Sequence, residues 1–494
     1  MTATVEHAYE LSQSDRLFIG GEWVTPSTSA VIKVINPTTE ELFLTVAEAS
    51  AEDMHRAVTA ARVAFDDGPW PRLSHAERSK FVYAFAAGIR EHADEIATIQ
   101  ASQMGIPWQQ GKYSALWSAD RFTYYADMAD DFPFIERREP TDGGKVGLLV
   151  REPVGVIGAI IPWNSPITLI APRLAPALLA GCTMVVKSSP EAPGEAYIMA
   201  QIAQSIGLPP GVFNVVTADR EVSELLVRDA RVNKINFTGS SAIGRRISAI
   251  MADRIGRVTL ELGGKSAAIV LDDYDLAEAA ATLGASGCRM TGQVCASLTR
   301  IIVPRKRHDD FVDALKDVMS QVKVGDPFDP ETEMGPLVTS RQRDIVEGFL
   351  AKGKQEGSKL VLGGGRPSHL QRGFFIEPTL YADVDNNDTV AREEIFGPVL
   401  TVIAADDERH AVKIANDSIY GLNASVFSND VNRVYEVARR LQSGTVGHNA
   451  FRGDFGIAFG GFKQSGIGRE GGREGLYECL ETKTIILDDE PAQL

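Results

Sequence analysis

Val154-Gly155-Val156-Ile157-Gly158-Ala159-Ile160-Ile161 is an unbroken apolar run, and Pro162-Trp163-Asn164-Ser165-Pro166 ends it. A run of this kind reads as a strand buried on both faces. A helix follows to Ala180, then a strand at residues 183–187 and a helix at 192–206. Residues 212–216 form the next strand. A helix to Arg228, a strand at 234–237, a helix from Ser241 and a strand at 258–262 complete the series. Apolar strands alternating with helices predict a doubly wound α/β fold, a parallel sheet with helices on both faces.

The same rhythm repeats beyond Gly263. Strands are expected at residues 267–271, 300–303, 399–403, 424–427 and 445–448, with helices at 309–322, 341–352 and 431–441. This is a second α/β unit. The first 130 residues read mostly as helix, with apolar residues at helical spacing over 51–65 and 75–103. Residues 17–23 look like a short hairpin, and 136–151 like a protruding one. The tail at 482–487 reads as a strand with no partner nearby in the sequence, which leaves an edge in another subunit as a pairing site.

At 494 residues the chain is too long for one compact domain, and two or three are expected. Apolar residues make up 44% and charged residues 23%, the balance of an ordinary globular protein. A net charge of -16 disfavours nucleic acid and anionic membrane as partners. Cys182, Cys288, Cys295 and Cys479 form no Cys-x-x-Cys, so free thiols in a reducing, cytoplasmic compartment are expected. The eight histidines make no His-Glu-x-x-His, and no metal centre is predicted. Residues 1–15 lack the apolar core of a signal peptide. Residues 153–172 carry no charge and are long enough to cross a bilayer. Pro162 and Pro166 break them, so a strand, a turn and a buried helix are expected instead.

Phe237-Thr238-Gly239-Ser240-Ser241-Ala242-Ile243-Gly244 joins a strand to a helix. Its glycines permit close backbone approach, and a helix N-terminus attracts phosphate. The run is neither Gly-x-Gly-x-x-Gly nor a P-loop, and a plain strand-to-helix turn explains it equally well. Cys295 stands in Gly292-Gln293-Val294-Cys295. A free cysteine is usually a small buried hydrophobe, and Cys288 could share a helix face with it. Thr291-Gly292-Gln293 interrupts that helix, which puts the thiol on a loop where dipoles and positive charge can activate it. Glu261 ends a buried strand, either as a catalytic carboxylate or as one half of a salt bridge. Asn164 lies between two prolines and can donate to an oxyanion or bond its own turn. Lys187 ends a strand at the edge where open α/β sheets bind ligands, facing a ribose, a phosphate or solvent. Glu394, in Glu393-Glu394-Ile395-Phe396-Gly397-Pro398, reads by itself as a helix end stopped by Gly-Pro.

Occurring together in this order, these segments resemble the NAD(P)-dependent aldehyde dehydrogenase superfamily. The resemblance begins at Phe18-Ile19-Gly20-Gly21-Glu22-Trp23 and Ile35-Asn36-Pro37. It continues through the segments above and Glu261-Leu262-Gly263-Gly264-Lys265 to Phe459-Gly460-Gly461-Phe462-Lys463-Gln464-Ser465-Gly466. It implies a Rossmann-like cofactor domain (1–130 and 152–260), a catalytic domain (261–465) and a β oligomerisation arm with the tail (131–151 and 466–494). Homodimers or homotetramers are implied. So is oxidation of a small-molecule aldehyde to its carboxylic acid. Cys295 would be the nucleophile, and the Asn164 amide with the Cys295 N–H would hold the oxyanion. Glu261 would activate the water that hydrolyses the thioester. The cofactor, NAD with NADP as the alternative, would meet Ile160, Pro162, Trp163, Lys187, Gly239, Ser240, Gly244 and Leu262. Glu394 would hold the nicotinamide ribose, with Phe396 beside the ring.

The chain departs from the family pattern at two places. Many NAD-using relatives carry Lys-Pro-x-Glu, whose Glu grips the adenosine ribose. Here the run is Lys187-Ser188-Ser189-Pro190-Glu191, so Pro190 stands at the Glu position. NAD is still the expectation. Ser165 and Pro172 stand where tunnel aromatics are common, and Val294 and Ala296 flank the nucleophile. A roomy apolar tunnel for a bulky hydrophobic aldehyde is therefore expected. One alternative is an enzyme that passes the thioester to coenzyme A, and Glu261 argues against it. Another is a non-catalytic relative that keeps the fold as a structural or cofactor-binding module, and the presence of Cys295, Glu261 and Asn164 argues against that.

Overall fold

The computed structural model describes residues 10–492. Five parallel strands form the centre of an eight-stranded sheet. Across it they run Arg257–Glu261, Lys234–Thr238, Val156–Ile160, Thr183–Ser188, Phe213–Thr217. The chain enters at the middle, fills one side, then crosses back to fill the other. The reversal falls between Val156–Ile160 and Lys234–Thr238, the crevice where such sheets bind ligands. Side chains alternate across the first strand. Ile157 and Ala159 enter one core, shared with the helices His75–Glu91, Trp108–Asp131 and Pro166–Ala180. Val156 and Ile160 enter a second core, closed by Ala51–Asp66, Arg220–Arg228 and Ser241–Ala252. Burial on both sides explains why the run is apolar throughout.

The second sheet has seven strands in the order Lys359–Leu362, Thr379–Ala382, Val399–Ala405, Arg300–Pro304, Ala267–Val270, Asn423–Phe427, Thr445–His448. All pair in parallel except Lys359–Leu362. It too is covered on both faces. Residues 262–266 join the carboxyl end of Arg257–Glu261 directly to the amino end of Ala267–Val270. The carboxyl edge of the first sheet therefore meets the amino edge of the second.

Several expectations need correction. The stretch expected as one helix over 75–103 is two, His75–Glu91 and Ala93–Met104, because His92 leaves helical geometry and caps the first. Acidic Asp94 and Glu95 then open the second, where the helix dipole favours negative charge. Residues 31–47 hold a hairpin, Val31–Ile35 with Leu42–Ala47, that the helical reading passed over. The tail strand, Leu480–Leu487, needs no second subunit. It pairs along its whole length with Val146–Pro153 of the same chain, and Ile135–Arg138 completes a three-stranded sheet. Lys483 donates to Glu152 diagonally across this pair, and the two are 331 residues apart in sequence, beyond the reach of any local reading. Gly466–Ile467 adds an antiparallel edge to the eight-stranded sheet, so residues 466–494 are divided between two sheets. Residues 153–172 form a strand, a turn and a buried helix, and no helix among the described residues is long and apolar enough to cross a membrane.

Candidate active site

The first sheet sets its candidate residues in a row. Ile160 pairs in register with Lys187 on one side and Phe237 on the other, and Thr238 pairs with Glu261. All stand at the carboxyl edge. Directly beyond lie Pro162, Trp163 and Asn164, the Gly239–Ser240 turn and Leu262. Ser240 caps the helix Ser241–Ala252, its hydroxyl accepting from the Ile243 N–H at 3.4 Å. A Cβ on Gly244 would meet Leu262 at 2.6 Å, so a larger residue would push the helix start away from the strand end. Lys187 is buried, and its ammonium makes no hydrogen bond or ion pair among the described residues. Burial pulls it down to about 8, against the attraction of Glu191 and Asp219. Glu191 is engaged elsewhere, with Ser189 and with Arg341 at 3.1 Å.

The second sheet supplies the thiol. The helix Leu276–Cys288 ends, and Met290, Thr291 and Gly292 follow with φ of 50°, 58° and 70°. Two of these are not glycine, and such strained backbone is held only where its surroundings fix it. The Thr291 hydroxyl donates to the Gly335 carbonyl at 3.0 Å, and the Gln293 side chain accepts from the Val338 N–H at 3.0 Å. Cys295 emerges from this loop half-buried among Ala296, Leu422 and Phe459. Cys288 is separately buried at the helix end. Asn164 reaches across from the first sheet and donates to the Gln293 carbonyl at 3.1 Å. Its amide carries a second hydrogen.

Glycines let these parts touch. A Cβ on Gly264 would overlap the Cys295 carbonyl oxygen, and one on Gly263 would overlap the Glu394 carboxylate. Glu394 accepts from the Gly264 N–H at 3.1 Å. Burial pushes its carboxyl up to about 7, against that bond and the charge of Lys265. Phe396 takes a left-handed φ of 57° and meets Trp163 edge to face, 5.4 Å between ring centres. Burial, then the charges of Glu394 and Glu261, push the Cys295 thiol up to about 12.

Glu261 is 2% exposed and lies against the Gly460 backbone. Neither of its carboxylate oxygens has a hydrogen-bond partner among the described residues. Burial first, and then the charge of Glu470, hold its carboxyl well above the usual range, opposed by Arg173 and Arg469. The salt-bridge reading of Glu261 is not what is found. Arg173 instead pairs with Glu470 at 2.5 Å. A buried carboxyl with a raised pKa thus lies near enough to act on the Cys295 thiol in a water-poor setting.

A cavity of about 1280 Å³ opens onto Cys295 and Asn164. Its wall includes Trp117, Leu169, Met290, Phe455 and Phe459. Ser165, Val294 and Ala296 also line it, whereas Pro172 does not. Pro172 is buried inside the helix Pro166–Ala180, so the choice of residue there cannot widen the tunnel directly. Glu261 is not part of the wall either. The aromatic wall comes from the helix Trp108–Asp131 and from residues 451–459, and the sequence reading gave neither a part in the site, although Phe459 opens one of its quoted motifs. Their signal was aromatic residues at helical spacing in the first and in a glycine-rich loop in the second.

A thiol on a strained loop, an amide and two perturbed carboxylates thus meet between two doubly wound sheets. The pattern of the aldehyde dehydrogenase family matches residues 23–485. A geranial dehydrogenase from Castellaniella defragrans is 41% identical over 485 residues, which cover 98% of this chain and 99% of the relative. The structure of a Mycobacterium tuberculosis aldehyde dehydrogenase complexed with NAD+ superposes with a TM-score of 0.94 at 44% identity, covering 96% of this chain and 98% of that one. That of aldehyde dehydrogenase C from Pseudomonas syringae, complexed with NAD+ and octanal, gives 0.93 at 37% identity over 98% and 99%. With near-complete coverage on both sides and the same sheets around the thiol, the chain belongs to the aldehyde dehydrogenase family.

Proposed function

We propose that this protein oxidises bulky hydrophobic aldehydes to carboxylic acids with NAD+ through a thioester on Cys295. The observation that carries the reading is Cys295 lining an aromatic-walled cavity with the Asn164 amide beside it. The Cys295 thiol gives up its proton to solvent, and the thiolate forms the bond to the carbonyl carbon as the C=O pair moves onto oxygen. The second Asn164 hydrogen and the Cys295 N–H would receive the negative oxygen, an arrangement typically worth a factor of about 10²–10³ per donor. Glu261 then takes a proton from the water that cleaves the thioester. Its raised carboxyl predicts a turnover that falls on acidification from a pH well above the ordinary carboxylate range. A base that recruits water favours hydrolysis over transfer to coenzyme A.

The dinucleotide fits the carboxyl edge of the first sheet. The unpartnered, buried Lys187 suits its adenosine ribose, and the Gly239–Ser240 turn with Gly244 admits a pyrophosphate to the helix start. Ile160, Pro162, Trp163 and Leu262 complete the wall, Glu394 would take the nicotinamide ribose, and Phe396 the ring. When bound, the nicotinamide supplies the two-electron oxidation by accepting hydride. NAD+ is preferred over NADP+ in this reading, as in the two similar structures complexed with it. The substrate reading is supported by the cavity, and by relatives named for geranial and complexed with octanal. The cytoplasmic enzyme would work as a homodimer or homotetramer built on the three-stranded sheet, whose Ile135 and Ile486 are exposed.

A screen of aliphatic, aromatic and terpenoid aldehydes with each dinucleotide, read by nicotinamide absorbance, tests this. Cys295→Ala should abolish reduction. Glu261→Gln should give one burst of acylation without turnover. Turnover confined to two- and three-carbon aldehydes rejects the substrate class, and full activity of Cys295→Ala rejects the covalent route.

A further inference from the structure

A second, much smaller cavity of about 20 Å³ lies at the amino edge of the second sheet, between Ala267–Val270, Arg300–Pro304 and Asn423–Phe427. Its wall includes Lys265, Ser266, Arg300, Tyr420 and Ser443. Lys265 is 2% exposed, and its ammonium makes no hydrogen bond or ion pair among the described residues. Arg300 is equally buried. It donates to the Lys265, Ile414 and Ala415 carbonyls at 2.9, 3.1 and 2.9 Å and to the Asn386 side chain at 2.7 Å, all neutral acceptors. The Ser266 and Ser443 hydroxyls are buried and likewise lack a partner.

Two buried cations with no carboxylate in contact are costly, and a buried charge normally finds a counter-charge. Burial, with Arg300 next in size, pulls Lys265 down to about 7, while the charges of Glu394 and Glu393 oppose this. The wall therefore includes a buried lysine and two serines with unpartnered hydroxyls around a space of single-atom size. A water molecule would fit but would bring no charge.

We propose that this cavity binds one monatomic anion of halide size, held by the Lys265 ammonium and the hydroxyls of Ser266 and Ser443. The anion is the missing counter-charge. Its place beside the chain segment that carries Gly264 also makes it a brace for the thiol loop. This site is separate from the dinucleotide edge and the aldehyde cavity, and it does not depend on the substrate proposed above.

The probe is bromide. Crystals soaked in sodium bromide should show an anomalous peak within hydrogen-bonding distance of Lys265 Nζ. The melting temperature should rise by about 2 °C in bromide or chloride at tenfold the dissociation constant, relative to gluconate at equal ionic strength. Lys265→Met should lose both the peak and the rise. If that variant does not fold, Ser266→Ala with Ser443→Ala should weaken bromide binding at least tenfold. An absent peak, or an ordered density without anomalous signal, overturns the site in favour of water. A peak without a halide-specific rise means an adventitious ion only, and also overturns it.

Discussion

Gly264 has no room for a side chain, because the Cys295 carbonyl occupies the place of its Cβ. The obstacle is backbone, so an added methyl group must move the loop that carries Cys295. A misplacement of about 1 Å can cost about 10²-fold in rate. Gly264→Ala should therefore lower kcat/KM by about 100-fold or more while the protein still folds, checked by steady-state kinetics alongside circular dichroism. An active Gly264→Ala enzyme would show that the loop can move without cost. Glu195 makes a different kind of prediction. It is fully buried, and Gln100 and Gln103 donate to its carboxylate. Burial nevertheless pushes its carboxyl up to about 8, from 4.5 in the unfolded chain. A raised folded value means stability that is complete below pH 4.5 and lost as the pH rises through 8. Glu195→Gln should melt higher than the parent at pH 9, with the gap closing towards pH 5. Parallel melting curves across that range would remove Glu195 as the cause.

Among the elements, the helix Trp108–Asp131 turns one face to the aldehyde cavity, with Gln110, Tyr113, Ser114 and Trp117 at helical spacing. Trp117 packs edge to face on Phe455 at 5.2 Å, and the Arg121 guanidinium sits 4.4 Å above its ring. Trp117→Ala should reduce kcat/KM for octanal about tenfold and leave propanal nearly unchanged, read as a ratio in one assay. Equal losses on both substrates would assign Trp117 to folding alone. This helix also marks where the sequence stops being readable. The central strands of both sheets were legible to within two residues, because burial on both faces forces an unbroken apolar run. Trp108–Asp131 falls in the first 130 residues, which read mostly as helix, but it mixes Gln, Lys, Ser and Asp with aromatics and lacks a side-chain cap, so the sequence does not fix its bounds. The edge strand Lys359–Leu362 and its neighbour Thr379–Ala382 were missed for related reasons. The first is half-exposed, and both are only four residues long. Cys295, Glu261 and Asn164 were visible as residues out of place in apolar or glycine-rich segments. Their meeting was not, since it depends on Gly263 and Gly264 passing between Glu394 and Cys295.

In the whole molecule, the ends of the chain complete structures begun far away. Leu480–Leu487 covers Val146 and Leu148, which are 3% and 5% exposed. Removing residues 480–494 should uncover them, lower the melting temperature by several degrees and change the mass measured by light scattering in solution. An unchanged mass and melting point would deny the tail any structural role. Glu478 pairs with the buried Lys234 at 2.9 Å, and Gly466–Ile467 pairs with Leu260 and Glu261. The first sheet is therefore closed by residues made well after its central strands. During synthesis, domains tend to fold from the amino end as they emerge, yet here the sheet keeps one edge open until Gly466–Ile467 has left the ribosome. A message that stops early would still encode the thiol, the amide and the carboxylate, but its product would lack the strand that seats Glu261. An intermediate that lacks this strand leaves the edge beside Leu260 and Glu261 unpaired, the kind of edge that other chains can pair with.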